Sequence, residues 1–221
     1  DGGVNILVDT GNHSDWPKIE KGAALMCGVF AALHDRLDNA ENASVPFVVC
    51  THGHLDHIGW CRPGHGVTKF DDQSGNLSRF TSSRVYLDAD CHQPPDRYRG
   101  VDWVGWRAFA FDAARQSQPL QLSPSVTLQR RVGHTDHDIV VFVNDAVLDG
   151  ERGSVCVAGG GVTVDNRAGD IIESEEDLKD ENLWATNSKY PTEQKQNRAY
   201  ILQNADLIVP GHGRWFRVPK P

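Results

Sequence analysis

The feature that most constrains the fold of this chain is a short cluster of potential metal ligands. His52, His54, Asp56 and His57 lie within six residues, directly after the apolar run at 45–50. Such a run predicts a buried strand, so the cluster should lie where that strand ends. Protein metal sites usually recruit three or four side chains per ion. Other parts of the chain must therefore supply ligands to the same place.

The spacing inside the cluster suggests two adjacent cation positions. His52 and His54 are two residues apart, so in an extended loop both can point to one side. Asp56 and His57 follow where the chain should turn into a helix, and they would point to a second position. Further single candidates each directly follow a glycine, whose backbone freedom helps a ligand to reach inward. These candidates are His134, Asp170 and His212.

Hydrophobic patterning predicts strands and helices that alternate over much of the chain. Strands are expected at 5–11, 47–50, 84–87, 126–132, 138–143, 153–158 and 207–209, and helices at 18–37, 174–184 and 191–203. This alternation favours a layered α/β fold. The length of 221 residues suits a single domain, which we expect to span residues 1–221.

Composition narrows the class of protein and its compartment. The net charge of −8 provides no global basic field for nucleic acid, although a local basic or metal-based site could still bind phosphate. The five cysteines are scattered without CxxC spacing, which suits a reducing compartment and predicts a cytoplasmic protein. No stretch approaches the roughly 20 apolar residues of a membrane span, so we expect no membrane partner.

The His-x-His-x-Asp-His motif, with its later His, Asp and His, resembles the metallo-β-lactamase fold superfamily. This resemblance implies an αββα sandwich, with two mixed sheets face to face, helices outside and metals at the sheet edge. It also implies that Asp170 bridges two divalent ions and that Asp9 supports the metal loop from behind. Zinc is the first choice, with iron or manganese open. The implied ligands are His52, His54 and His134 for the first ion, and Asp56, His57 and His212 for the second.

Two departures from the family pattern affect these expectations. The superfamily places further strands before the strand at 5–11, so we expect this chain to lack the first strands of the fold. The glycines at 159–161 could occupy the strand end where the bridging acid belongs, and Asp165 then competes with Asp170 for that role. We favour Asp170, because the residues at 171–173 and an acidic predicted helix follow it as in the relatives.

The donor set predicts a hydrolase. Two cations about 3.5–4 Å apart can bridge a water and lower its pKa towards neutrality, so a hydroxide held by the metals can be the nucleophile without a Ser or Cys. Asp56 and Asp170 are the predicted catalytic residues.

A narrower resemblance covers residues 51–59, 168–178 and 205–218. These stretches are similar to the group of metallo-β-lactamase domain-containing protein 1 and its invertebrate relatives, within the glyoxalase II-like part of the superfamily. The similarity implies an endoribonuclease of the histone pre-mRNA processing type, which adds the nucleus as a second location. A hydroxyacylglutathione hydrolase-like thioesterase and a non-catalytic metal-binding protein stay open. The expected partners are RNA or a small thioester, and a homodimer is left open.

Overall fold

The structure is a computed structural model. It describes residues 6–11, 47–54, 57, 84–86, 118–159 and 170–220. The helix predicted at 18–37 lies outside these ranges. No helix in the described ranges has the length and apolar character needed to cross a bilayer.

The first sheet is formed by three short parallel strands. They are β1 (Ile6–Val8), β2 (Phe47–Val49) and β3 (Arg84–Tyr86), with β2 in the middle. Val48 pairs with Leu7 on one side and with Val85 on the other. All three valine or leucine side chains are buried, as the continuous apolar runs of parallel sheets predict. The loop after β2 therefore begins at the centre of this sheet.

The second sheet is mixed and contains six strands. They are β4 (Leu120–Gln121), β5 (Val126–Arg130), β6 (Ile139–Leu148), β7 (Glu151–Val157), β8 (Leu207–Val209) and β9 (Phe216–Arg217), in that spatial order. Only β7 and β8 run parallel to each other. Asp149 and Gly150 turn the β6–β7 hairpin with φ values of 49° and 87°, the positive values that a tight hairpin turn needs.

Apolar side chains fill the space between the two sheets. Val8 and Val49 of the first sheet join Leu128 and Val141 of the second sheet in one buried cluster. The other face of the second sheet carries Val140, the neighbour of Val141 along β6. Successive side chains of a strand point to opposite faces of the sheet, so both faces of β6 are packed against other parts of the protein. This packing places the second sheet between the first sheet and a helix.

That helix is α2 (Pro191–Asn204), which follows a shorter helix, α1 (Asn182–Ala185). Ile201 of α2 packs on Val140 and Ile208 in a second buried cluster. Two facing sheets with a helix on the outside of one of them confirm the expected α/β sandwich.

The single helix predicted at 174–184 is wrong. The chain instead makes a 3₁₀ turn at Glu176–Leu178 and then the four residues of α1. Asp177 is buried, and its Oδ2 accepts a hydrogen bond from the backbone N–H of Glu173 at 2.7 Å. A buried carboxylate requires hydrogen-bond partners. The contacts that supply them here outweigh the helix propensity of this acidic segment. The short strands β4 and β9 were not predicted.

Candidate metal centre

Three imidazoles converge at the end of the strand β2. His52 Nε2 lies 2.9 Å from His54 Nδ1, and His134 Nε2 lies 3.0 Å from the same His54 atom. His134 arrives from the second sheet, in the turn between β5 and β6. A ring nitrogen carries either one proton or one lone pair, so a hydrogen bond can satisfy only one of these two contacts. The arrangement of nitrogens therefore fits a shared cation.

Asp170 lies on the other side of His52. Its Oδ1 is 3.4 Å from His57 Nε2 and 3.7 Å from His52 Nδ1. Its Oδ2 is 3.2 Å from Nε2 of His212, which follows β8. The Asp170 side chain is fully buried, and neither carboxylate oxygen has a hydrogen bond of good geometry within the described ranges. A buried carboxylate in this condition fits a bound cation, because it otherwise loses its hydration without compensation.

The titration of these groups favours the forms that bind metals. Burial lowers the pKa of His134 to about 3, with help from the neighbouring His54. Burial and the adjacent imidazoles of His57 and His54 hold the pKa of His52 well below its usual value. Burial alone would raise the pKa of Asp170, but the imidazoles of His57 and His212 bring it below its ordinary value. At neutral pH, His52 and His134 are thus neutral and Asp170 is charged, which are the forms that ligate metals.

Asp9 holds the histidine loop from behind, as the family resemblance implied. Its Oδ1 accepts a hydrogen bond from Thr51 N at 2.7 Å, and its Oδ2 accepts one from Thr51 Oγ1 at 2.7 Å. Its Oδ2 is also 3.0 Å from His57 Nδ1. A proton on that Nδ1 leaves Nε2 with a lone pair toward Asp170, which is how a carboxylate orients a ligating histidine. Asp9 takes a φ of 57°, a left-handed conformation that these hydrogen bonds stabilise.

Backbone hydrogen bonds fix the same loop to both sheets. Thr10 N, just after β1, donates to His57 O at 2.6 Å. Ile139 N, the first residue of β6, donates to Thr51 O at 2.8 Å. The loop is thus tied to the first sheet at one point and to the second sheet at another. This explains how ligands from both sheets come to lie at one edge.

Two glycines make room for the Asp170 carboxylate. A Cβ on Gly211 would lie 1.4 Å from Asp170 Oδ2, and a Cβ on Gly159 would lie 2.4 Å from Oδ1. Gly159 lies just after the end of β7, and the Asp170 carboxylate occupies the space that a side chain there would fill. It provides the space into which Asp170 fits. Asp165, the competing acid, lies outside the described residues.

The turn that carries His134 has a buried acid of its own. Asp138 Oδ2 accepts a hydrogen bond from Thr135 N at 2.8 Å, and its Oδ1 accepts one from Thr135 Oγ1. Burial raises the pKa of Asp138 to about 8. Asp138 thus stabilises the turn that follows His134, much as Asp9 stabilises the loop around His52.

The structure brings six of the seven predicted ligands together, and the seventh, Asp56, lies outside the described residues. The six are His52, His54, His57, His134, Asp170 and His212. One set of potential ligand atoms comes from His52, His54 and His134, and the other comes from His52, His57 and Asp170, so His52 belongs to both. The grouping of the first set is the one implied by resemblance for the first ion. His212 contacts the second set through Asp170.

Two supporting residues were not found from the sequence. Asp138 follows Thr135 by three residues, a spacing typical of local side-chain to backbone hydrogen bonds that could have indicated its role. Gln194, on α2, contacts the backbone of Asp170 and has no sequence signal of this kind.

Comparison with known proteins agrees with the fold and the site. A family model of the metallo-beta-lactamase superfamily matches residues 1–212. The fold and the His/Asp cluster thus define the class of metal-dependent hydrolases in this superfamily, and the chain belongs to the superfamily. The resemblance that the sequence suggested is confirmed.

Among curated proteins, the chain is similar to metallo-beta-lactamase domain-containing protein 1. The human protein is 30% identical over 216 residues, which are 96% of this chain and 59% of that protein. The Xenopus laevis protein is 32% identical over 180 residues, which are 80% of this chain and 58% of that protein. The chain therefore spans less than two thirds of the length of either relative.

Solved structures show the same fold at lower identity. A Thermotoga maritima crystal structure described as a metallo-beta-lactamase has a TM-score of 0.53 and 15% identity, and it covers 96% of this chain and 82% of its own. The mono-zinc form of the metallo-beta-lactamase FIM-1 from Pseudomonas aeruginosa has a TM-score of 0.50 and 18% identity, and it covers 98% of this chain and 75% of its own. At these identities the likeness concerns the fold alone.

Proposed function

We propose that this chain is a dinuclear metal-dependent hydrolase whose substrate is a phosphodiester bond in RNA. The observation that carries the proposal is that two sets of potential ligand atoms lie side by side and share His52. Asp170 presents Oδ1 toward His52, which belongs to both sets, and Oδ2 toward His212, so a single carboxylate could contact two ions. Two such sets placed side by side are the arrangement that two-metal hydrolases use.

When bound, two divalent cations would activate a water and stabilise the negative charge that develops on the substrate. The protein side chains determine where this happens. His52 and His134 are held neutral by burial, so they add no charge of their own and the site keeps the positive charge of its ions. The Asp170 carboxylate is charged at neutral pH, so either oxygen can accept a hydrogen bond from a water. Zinc is the first choice of metal for such imidazole and carboxylate donors.

RNA is preferred over a thioester because of the narrower resemblance at residues 51–59, 168–178 and 205–218. An anionic phosphodiester also suits a site whose described ligands carry one carboxylate among five imidazoles. A thioesterase of the hydroxyacylglutathione hydrolase type needs the same metal pair, so substrate preference is what separates the two functions.

The test combines metal analysis with a substrate panel. The purified chain is loaded with Zn²⁺, its metal content is measured, and it is assayed on single-stranded RNA, S-D-lactoylglutathione and a cephalosporin. We expect two equivalents of metal per chain and chelator-sensitive RNA cleavage. Asp170→Asn should reduce this cleavage at least about 100-fold, because it removes the charged carboxylate of the second set. Asp145→Asn, at an exposed position in the β6–β7 hairpin, is the matched control and should retain full activity.

Each other outcome selects a different function. Turnover of lactoylglutathione without RNA cleavage would establish the thioesterase. One tightly bound ion and no turnover of any substrate would establish a non-catalytic metal-binding protein. RNA cleavage that persists in Asp170→Asn would refute the mechanism proposed here.

A further inference from the structure

The helix α2 presents one buried amide to the segment that carries Asp170. Gln194 is 1% exposed, and its Nε2 donates a hydrogen bond to Asp170 O at 2.8 Å and approaches Ile171 O at 3.3 Å. Its Oε1 has no hydrogen-bond partner among the described residues. The opposite orientation of the amide would place this oxygen against two carbonyl oxygens, so the contacts assign the donor. Gln194 therefore fixes the backbone at Asp170.

The same residue packs against the turn that carries His134. A Cβ on Gly133 would lie 2.5 Å from Gln194 Cβ and 2.6 Å from Gln194 Cα, so the helix touches the backbone just before His134. Two further hydrogen bonds hold this contact. Tyr190 N donates to Gly133 O at 2.8 Å, and Asn197 Nδ2 donates to Val132 O at 2.6 Å.

Gln194 thus contacts both segments from which the two ligand sets are built. His134 belongs to the first set and lies between β5 and β6, whereas Asp170 belongs to the second set and comes between β7 and α1 in the chain. A side chain that bonds to one backbone and packs on the other limits how far the two segments can separate. Buried groups in close contact transmit such constraints because protein interiors are densely packed.

We infer that Gln194 is a positioning residue that sets the spacing between the His134 imidazole and the Asp170 carboxylate, and thereby the affinity of the second metal ion. This inference rests on the proposed dinuclear centre. Gln194 touches no substrate and ligates no ion; it acts through the backbone of Asp170. Partners of this kind typically change metal affinity 10- to 100-fold when they are mutated.

The experiment measures metal binding directly. The full chain, freed of metal, is titrated with Co²⁺, and the affinity and visible absorption spectrum of each bound equivalent are recorded. Gln194→Met keeps nearly the same length and volume but removes the donor. Gln196→Met places the same side chain on the exposed face of the same helix and is the matched control. Each variant is measured at least about 10 °C below its own melting midpoint, so a loss of stability alone does not alter the result.

We expect Gln194→Met to bind the first equivalent normally, to bind the second at least about tenfold more weakly, and to show a changed spectrum for it. Gln194→Leu, which also has no donor, should behave in the same way and serves if the Met variant does not fold. Affinities and spectra of both variants equal to those of the control would overturn the inference and leave the metal centre intact. A wild-type chain that binds no Co²⁺ would instead refute the proposed function.

Discussion

Among single residues, the position of the Asp170 carboxylate depends on two neighbouring positions that carry no side chain. Asp170 reaches the cluster because Gly211 and Gly159 have no side chains at the points where its carboxylate lies. The sequence showed Gly211 only as part of a Pro-Gly-His-Gly stretch, which indicated backbone freedom before a ligand. Its second role, as space for a residue 41 positions earlier, concerns a contact between distant parts of the chain.

The first prediction follows from this contact. Gly211→Ala places a methyl group 1.4 Å from Asp170 Oδ2, so the carboxylate must move away from His212. We expect metal affinity to fall at least about tenfold, as measured by calorimetric titration with Zn²⁺. Gly213→Ala adds the same methyl group where nothing lies within 4 Å, although its φ of 100° adds backbone strain. Equal affinities for the two variants would show that the Asp170 contact is unimportant.

The second prediction concerns Asp138. Burial raises the pKa of its carboxyl group to about 8. The folded chain then binds a proton more tightly than the unfolded chain does. The stabilisation is complete below the ordinary aspartate pKa of about 3.9 and is lost as the pH rises through about 8. In the metal-free protein, the free energy of unfolding should therefore fall between these values, by at most about 1.4 kcal/mol per pH unit.

Urea unfolding over this pH range measures the effect. Asp138→Asn mimics the protonated carboxyl and should remove this part of the pH dependence. Asp145→Asn is the control, because Arg152 holds the pKa of Asp145 below its ordinary value and this group does not titrate in the same range. Parallel pH profiles for the wild type and Asp138→Asn would contradict the prediction.

At the scale of elements, α2 is tied to the loop before it by a buried ion pair. Arg198 contacts Asp177 with two nitrogens, at 2.6 Å and 3.0 Å, and donates to Ile171 O at 2.8 Å. Its guanidinium also lies 4.7 Å from the ring of Trp184. The sequence-based prediction was right nearly to the residue for α2. It failed at 174–184 because Asp177 forms its bonds with another element.

The third prediction tests this pair. Arg198→Leu leaves the Asp177 carboxylate buried without its charged partner, so we expect the free energy of unfolding to fall by about 3–5 kcal/mol. Lys195→Leu removes an exposed ion pair with Glu181 from the same helix and should cost at most about 1 kcal/mol. Denaturant unfolding of both variants gives the comparison. Similar losses for the two would mean that burial adds little to the Arg198 pair.

At the scale of the whole molecule, the cluster lies where the two sheets meet. His52, His54 and His57 follow a strand of the first sheet, whereas His134 and His212 follow strands of the second sheet. An ion held by ligands from both sheets would therefore link them. Metal binding to the folded state alone must also stabilise the fold, in proportion to the logarithm of the metal concentration.

The fourth prediction is that chelation destabilises the entire chain. Removal of metal should lower the melting midpoint, and addition of Zn²⁺ at about 100 times its dissociation constant should restore about 2.7 kcal/mol. Thermal unfolding followed by circular dichroism measures this shift. The double variant His54→Ala/Asp170→Asn weakens both ligand sets and should respond little to the chelator. A wild-type midpoint that is unchanged by the chelator would argue against metals that join the sheets.

The fold class, most of the strands and the set of candidate ligands could be predicted from the amino-acid sequence. This was possible because strand periodicity, the dense His-x-His-x-Asp-His loop and the Gly-His pairs are local patterns that a short stretch of chain specifies. Contacts in the folded chain were needed to show that His52 belongs to both ligand sets, that Asp177 interrupts a helix, and that Gln194 supports Asp170 from 24 residues away. Each of these depends on buried polar groups that must find partners among residues distant in sequence. The residues next to a buried polar group in the sequence do not indicate which distant residue becomes its partner.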